Sequence, residues 1–247
     1  MIHLKKSVIL IIMGLILLLI GGIFFMNYEK NLANKRNKAT IAGQAIDATQ
    51  LGRSDSEWRN GYGMPSDGKD TNSKNQPTRK LTKDAKSLII YFSRSGSTEL
   101  LASKIAQETQ ADILEIVVKD PYSGNYQKTL SRANSERENQ NYPELDMTVP
   151  DLKQYQTIYL GYPILAMTLS HPLTAFLKTY GARLSGKKIA PFMTEGGYGQ
   201  GDSVQRIREI LQEQGASVET ITKALVVDGN KVDRADKRVD KWVKQVQ

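Results

Sequence analysis

The chain has 247 residues, enough for one or two domains, and its excess of 34 Lys and Arg over 26 Asp and Glu lies mainly in residues 1–84, which hold 13 of the bases but 7 of the acids. Residues 85–247 are therefore close to neutral, which argues against a nucleic-acid partner. There is no cysteine and the only histidines are His3 and His171, so disulfides, thiolate catalysis, iron–sulfur clusters and Cys-based zinc sites are excluded, and we predict no metal site.

An apolar segment precedes the rest of the chain. Residues 7–26 carry no charge and follow Lys5 and Lys6, and about 20 apolar residues suffice to cross a bilayer as a helix. The segment ends in bulky side chains rather than a small-residue cleavage site, which favours an uncleaved anchor over a cleaved signal peptide. We therefore predict a transmembrane anchor within residues 1–30, a single-pass membrane localisation, and a domain outside the cytoplasm. Basic residues on both sides of the segment nearly balance, so the orientation rests on the compact basic start alone.

Residues 31–84 are predicted to be a flexible, disordered linker. Residues 61–70 are rich in turn formers, and residues 72–86 are polar and interrupted by Pro77. Such a composition buries too little apolar surface to offset the entropy of an ordered chain. Only residues 40–51 indicate a short helix. The alternative is that this segment binds a partner.

From residue 85 onward, short apolar strands alternate with amphipathic helices. The predicted strands cover residues 88–92, 111–118, 157–161, 188–193 and 217–227. The predicted helices cover residues 98–109, 125–139, 171–180, 202–214 and 231–246. This alternation predicts an α/β domain over residues 85–247, with a doubly wound, five-stranded parallel sheet in the order 2-1-3-4-5. In such a sheet, ligands lie beyond the carboxyl ends of the strands, between the first strand and the third.

The loop after the first strand is rich in hydroxyl groups. It consists of Ser93, Arg94, Ser95, Gly96, Ser97 and Thr98. Its exposed amides and the positive end of the following helix favour a phosphate group, and Gly96 permits a close approach or a positive φ. The lysine of nucleoside-triphosphatase loops is absent, which excludes a Walker site. Phosphate binding is the favoured interpretation, and the alternative is a helix start capped by Ser95 or Ser97.

The loops after the third and fourth strands have the composition to contact a flat ring. One begins with Tyr162, Pro163, Ile164 and Leu165 and is unusually apolar for a loop. The other contains Thr194, Glu195, Gly196, Gly197, Tyr198 and Gly199. Its glycines bring backbone groups close to the cleft, and Tyr198 could stack on an aromatic ligand. The alternatives are a loop packed on its neighbour and a flexible turn before a helix.

These motifs resemble the flavodoxin family, in particular its short-chain flavodoxin-like bacterial domains. Residues 91–98, Tyr-Phe-Ser-Arg-Ser-Gly-Ser-Thr, are similar to the family's phosphate loop, Y-F-S-x-[ST]-G-N-T, with Ser97 in place of Asn. Residues 161–164 and 194–199 resemble the second and third flavin loops. The resemblance implies that the three loops bind FMN and that the protein transfers electrons to a redox partner protein or a small-molecule acceptor, with no catalytic side chain. In one departure, Leu-Ala-Met at residues 165–167 stands where aromatic residues are common.

Two further functions stay open at this point. The first alternative is an FMN-dependent reductase that passes electrons from a nicotinamide donor to quinone-type acceptors. The second is a flavin-free binding module in a membrane complex, which the absent aromatic residue favours. The intact phosphate loop favours the flavoproteins.

Overall fold

The computed structural model describes residues 11–25, 39–56 and 78–247. Residues 11–25 are helical and their large apolar side chains are exposed, that of Phe24 by 75%. Within the described part of the chain, no helix has the length and apolar content needed to span a membrane. The transmembrane helix predicted for residues 7–26 is therefore without support from the structure, and its two ends lie outside the described residues.

Strands and helices alternate through the folded part of the chain. The strands are β1 (Thr40–Ile41), β2 (Gln44–Ala45), β3 (Thr78–Lys80), β4 (Ser87–Tyr91), β5 (Asp112–Glu115), β6 (Thr157–Pro163), β7 (Lys188–Glu195), β8 (Thr220–Ile221) and β9 (Leu225–Asp228). The labelled helices are α1 (Ser97–Thr109), α2 (Tyr126–Asn139), α3 (His171–Tyr180), α4 (Ser203–Glu213) and α5 (Asp236–Val246), with short 3-10 turns at Gly181–Leu184 and Gly229–Arg234.

The central sheet is covered by helices on both faces. Strands β5, β4, β6 and β7 lie side by side and run parallel. On one face Tyr91 packs in the same core cluster as Trp242 of α5, and on the other Ile90 packs in the cluster that contains Phe176 of α3. Strand β4 reads as a continuous apolar run because both of its faces are buried. The doubly wound α/β prediction is thereby confirmed.

The predicted strand count and order need correction at the far edge of the sheet. The single fifth strand expected over residues 217–227 is two short strands, β8 and β9, which both pair with β7. The gap between them lies opposite Pro191. The carbonyl of Ile189 accepts from the amide of Thr222, which directly follows β8. Because alternate residues of a strand direct their backbone groups to the same side, the nitrogen of Pro191 faces the same edge of β7. Because proline has no N–H to donate, the pairing is interrupted there.

At the other edge, the sheet gains an antiparallel strand that the sequence did not predict. Strand β3 pairs with β5 and makes a seven-stranded sheet. Its Arg79 is buried, with Nη2 2.6 Å from Glu99 Oε1 and 2.7 Å from Glu115 Oε2, and its Nε donates to the Tyr91 hydroxyl at 3.1 Å. The sequence predicts that the Arg79 guanidinium is exposed in a linker. In the structure it is buried and forms ion pairs with two carboxylates from distant parts of the chain.

Residues 39–56, which we call the strap, fold against α1. Strands β1 and β2 form a small hairpin, and Ile41, Ile46 and Ala48 are buried in the core cluster that contains Leu101 of α1. The predicted disordered linker is therefore wrong for the strap and for β3, and the short helix indicated over residues 40–51 is a hairpin. Three well-spaced apolar residues suffice to order the strap because α1 provides the surface that covers them. Residues 31–38 and 57–77 of the predicted linker lie outside the described residues.

Candidate functional site

The three predicted loops meet at a cleft at the carboxyl ends of β4, β6 and β7, with a volume of about 230 Å³. The predicted residues that line it are Arg94, Ser95, Ser97, Pro163, Ile164, Leu165, Thr194, Glu195, Gly196, Tyr198 and Gly199. Those that lie behind this lining are Ser93, Gly96, Thr98, Tyr162 and Gly197. The structure brings the three loops together, and the cofactor-binding role of these residues stays a prediction.

The loop after β4 turns sharply into α1 at Gly96. Gly96 is the N-cap residue with φ of 82°, and neither Ser95 nor Ser97 caps the helix, so the capping alternative is not what the structure shows. Ser97 donates its hydroxyl to the carbonyl of Gly229 at 2.9 Å, and the hydroxyls of Thr98 and Thr194 are 2.8 Å apart. These bonds tie the loop to its neighbours, and the first amides of α1 have no partner within the helix, as at the start of any helix.

Ser93 provides an independent sign that the loop suits an anion. It is only 3% exposed, and its Oγ has no hydrogen-bond partner among the described residues. A buried hydroxyl without a partner costs about 1–3 kcal/mol, so such an atom in a loop of this kind calls for a ligand that completes it. With Arg94 beside it and the positive end of α1 behind it, the missing partner fits the oxygens of a phosphate group.

The loop after β6 supplies an apolar wall in a strained conformation. Leu165 and Thr168 exchange two backbone hydrogen bonds of 3.1 Å, and the residues between them, Ala166 and Met167, have φ of 51° and 67°. Positive φ at both central positions defines a type I′ turn, which Asn and Gly adopt more readily than Ala and Met. The turn leaves Met167 52% exposed at the mouth of the cleft. Tyr162 is fully buried and donates to Ser203 Oγ at 3.1 Å, so it does not replace the absent aromatic residue.

The loop after β7 is organised by its own carboxylate. Glu195 Oε2 accepts from the amides of Gly197 at 2.6 Å and Gly199 at 2.8 Å. Burial and the neighbouring Asp228 carboxyl raise the pKa of Glu195, while the two amides act in the opposite direction. The glycine amides that the sequence offered to a ligand are therefore engaged within the loop, and Tyr198, 63% exposed, remains the part of it that projects outward.

The cleft also includes residues that the sequence analysis missed. Those from the β5 to α2 connection and neighbouring positions are Phe92, Tyr122, Tyr126, Thr129 and Leu130, and the strap contributes Gln50 and Arg53. Strand β5 neighbours β4, so the rule that ligands lie at carboxyl ends could have found the tyrosines. Tyr126 and Tyr198 both line the cleft, and burial together with the Tyr198 hydroxyl raises the pKa of Tyr126. Nothing in the sequence indicated that the strap contributes residues to the cleft.

Behind this wall lies a buried polar cluster. Glu136 accepts from the Tyr122 hydroxyl at 2.5 Å and from Arg132 Nε at 2.7 Å, and its Oε2 is 2.8 Å from His171 Nδ1. Burial alone would raise the pKa of Glu136, but the hydrogen bonds from His171, Tyr122 and Arg132 lower it. His171 is 1% exposed and does not line the cleft, so it sits in the first turn of its helix in a structural role.

A family model described as flavodoxin matches residues 86–246 of the chain. No match is found among curated proteins. Among solved structures, a candidate flavoprotein from Bacteroides uniformis is 24% identical, with a TM-score of 0.54, over 66% of this chain and 99% of that one. A second candidate flavoprotein, from Bacteroides eggerthii, is 22% identical, with a TM-score of 0.53, over 66% and 98%. A flavoprotein in complex with FMN, from Lactobacillus acidophilus, is 25% identical, with a TM-score of 0.49, over 61% and 97%. The strap and β3 lie outside the family match.

Proposed function

This chain belongs to the flavodoxin family, and on that premise we propose that it binds FMN in the cleft and transfers electrons. The observation that carries the proposal is the buried Ser93 hydroxyl, which has no hydrogen-bond partner in the described part of the chain and lies in a loop that turns at Gly96 into the positive end of α1. A phosphate group supplies the acceptor that this hydroxyl lacks and the negative charge that the helix end favours.

The cleft residues fit the two ends of such a cofactor. Arg94 and Ser95 in the lining, the first amides of α1 and the Ser93 hydroxyl behind that lining would hold the phosphate. Ile164 and Leu165 would lie against the ring and exclude water from one side. Tyr126 and Tyr198 offer aromatic surface where the loop after β6 has none. FMN supplies one- and two-electron chemistry when bound, and the protein orients it and sets its electrostatic environment.

The electron acceptor is proposed to be a redox partner protein or a small molecule that reaches the cleft mouth. Met167 and Tyr198 are exposed there, which gives a partner an apolar surface to contact. A reductase that uses a small quinone-type acceptor is the second candidate. It is favoured by the aliphatic turn at residues 165–167, which supplies no aromatic ring to cover a flavin at the mouth of the cleft. Steady turnover of a nicotinamide donor with a quinone would separate the two.

FMN binding is tested by titration of the full chain with FMN and with riboflavin, followed by visible absorbance and flavin fluorescence. We expect a perturbed flavin spectrum with FMN. Ser93→Ala should weaken FMN about tenfold and riboflavin little, because only FMN carries the phosphate. Ser185→Ala, an exposed hydroxyl at the opposite edge of the sheet, is the matched control. A wild-type chain that leaves FMN unperturbed would overturn the proposal and favour the flavin-free module.

We also propose that residues 7–26 attach the protein to a membrane, with the domain outside the cytoplasm. The support is the exposure of the large apolar side chains of residues 11–25, because contact of such side chains with water is unfavourable and the apolar interior of a membrane would remove it. Fractionation of cells that express the full chain tests attachment. The protein should stay with the membranes after an alkaline wash, and recovery in the supernatant would contradict attachment. Digestion of the domain by protease added to cells with a permeabilised wall, but an intact membrane, would support the external side.

A further inference from the structure

We propose that the strap completes the phosphate end of the cleft and that its Arg53 supplies a second positive charge to the phosphate of the cofactor. This inference rests on the proposed FMN function and concerns residues that precede the family-matched part of the chain. Arg53 and Gln50 line the same cleft as Arg94 and Ser95. Arg53 is half-buried and Gln50 is buried, so the strap forms a wall of the cleft.

The strap lies directly against the phosphate loop. A Cβ placed on Gly96 would lie 2.1 Å from the carbonyl oxygen of Asp47 and 2.9 Å from the Cα of Ala48. Gly96 is thus constrained twice, by its positive φ and by the backbone of the strap. The two backbones can approach this closely only because the position is glycine.

Two contacts from the turn after β9 hold Arg53 at this place. Asn230, 3% exposed, donates from Nδ2 to the carbonyl of Arg53 at 2.8 Å, and Lys231 forms an ion pair of 2.8 Å with Asp55. The residue before Asn230, Gly229, accepts the hydroxyl of Ser97 at 2.9 Å. One turn therefore fixes the backbone of Arg53 and the first residue of α1 relative to each other.

Arg53 lies beyond the residues that pack the strap onto α1, so its position at the cleft is not explained by packing. The buried apolar anchors of the strap are Ile41, Ile46 and Ala48, which pack in the core cluster that contains Leu101 of α1. Beyond them the strap continues to Arg53, which lines the same cleft as Arg94. Guanidinium groups are well suited to phosphate, because their planar donors match its oxygens and their charge persists at all physiological pH values.

The test compares FMN and riboflavin binding to the full chain and to Arg53→Gln, by quenching of flavin fluorescence at low and high ionic strength. We expect Arg53→Gln to raise the Kd for FMN about tenfold at low salt and to leave riboflavin unchanged, with a smaller FMN effect at high salt. Arg53→Lys should restore most of the affinity, because it keeps the charge. Lys153→Gln removes one positive charge from an exposed side chain at the opposite edge of the sheet and should change neither Kd.

The outcomes separate this inference from the function on which it rests. A wild-type chain that binds neither flavin overturns both. Wild-type binding of FMN with no change in Arg53→Gln overturns the role of Arg53 alone. Equal losses for FMN and riboflavin also overturn it, because they show that the variant loosens the strap rather than removing a phosphate contact. Thermal unfolding of each variant, read by circular dichroism, detects such loosening independently.

Discussion

The two ends of the cleft are built differently. At the phosphate end, Gly96 is pressed between the strap and α1, and Ser93 is buried with its hydroxyl ready for a ligand. At the ring end, Met167 and Tyr198 are exposed, and the turn that contains Met167 holds two non-glycine residues, Ala166 and Met167, at positive φ. The difference teaches that this protein fixes one end of the cleft by close packing and leaves the other open. In the proposed function, the closed end anchors the cofactor and the open end serves the electron acceptor.

The largest change in stability is expected from Gly96→Ala, which places a methyl group in the closely packed end of the cleft. The added methyl group meets the backbone of Asp47 and demands a positive φ from alanine, so we expect a loss of about 3 kcal/mol or more in the free energy of unfolding. Urea denaturation followed by circular dichroism measures it. Gly186→Ala is the matched control, because Gly186 has φ of 73° with open space around it. That control should lose only about 1 kcal/mol, the cost of the dihedral angle alone.

The two glycine variants together separate strain from close packing. Equal losses in Gly96→Ala and Gly186→Ala would show that the strap yields to the methyl group, and the phosphate end would then be no more rigid than an ordinary turn.

A smaller effect of opposite sign is expected from Ala166→Gly at the open end. Glycine adopts a positive φ without steric cost, so this change should stabilise the protein by about 0.5–1 kcal/mol after its greater freedom in the unfolded chain is counted. Ala106→Gly, in the middle of α1, should destabilise by about 1 kcal/mol and is the control. Denaturant midpoints of both variants test this. A loss of stability in Ala166→Gly would contradict the view that the turn is strained.

The smallest effect concerns the pH dependence of stability at Glu195. Because its folded pKa is raised above the ordinary value of 4.5, the native state holds the proton more tightly, and stability falls as pH rises through the folded pKa. Glu195→Gln keeps an oxygen for the amides of Gly197 and Gly199 and offers an N–H to Asp228. Near pH 7 the variant should match wild type or exceed it by up to about 1 kcal/mol, since solvent in the cleft screens the carboxyl pair.

Urea midpoints of wild type and Glu195→Gln between about pH 4 and pH 8 test this prediction. The gain of the variant should vanish toward the acid end, where the wild-type carboxyl is protonated. A gain that is independent of pH would assign the effect to something other than this carboxyl.

The sequence predicted the elements whose signals are local. Strand β4 is a continuous apolar run, and the loops that follow β4, β6 and β7 meet at one edge because parallel strands place their carboxyl ends together. The same reasoning located the cleft without any knowledge of side-chain contacts.

The elements that it missed depend on distant partners. The sequence places Arg79 in a solvated linker, because nothing near it in the sequence shows that Glu99 and Glu115 form ion pairs with it in the folded chain. The strap has strands of two residues, too short to produce a periodic pattern, and it is ordered by the surface of α1. Glu195 belongs to a loop that is predicted to bind the cofactor, and its hydrogen bonds to Gly197 and Gly199 appear only when the loop is folded.

Chain order gives the strap a mechanical meaning. A pull on the chain at Ala39 acts first on the hairpin of β1 and β2, where the amide of Ile46 bonds to the carbonyl of Ala39. Force in this direction opens a hairpin one hydrogen bond at a time, and a hairpin of two-residue strands resists weakly. The strap is thus the first part of the domain to carry tension from the N-terminal side, and the sheet bears load only after it. Asp47 and Ala48 follow the hairpin and lie against Gly96, so tension that opens the hairpin reaches the phosphate loop next.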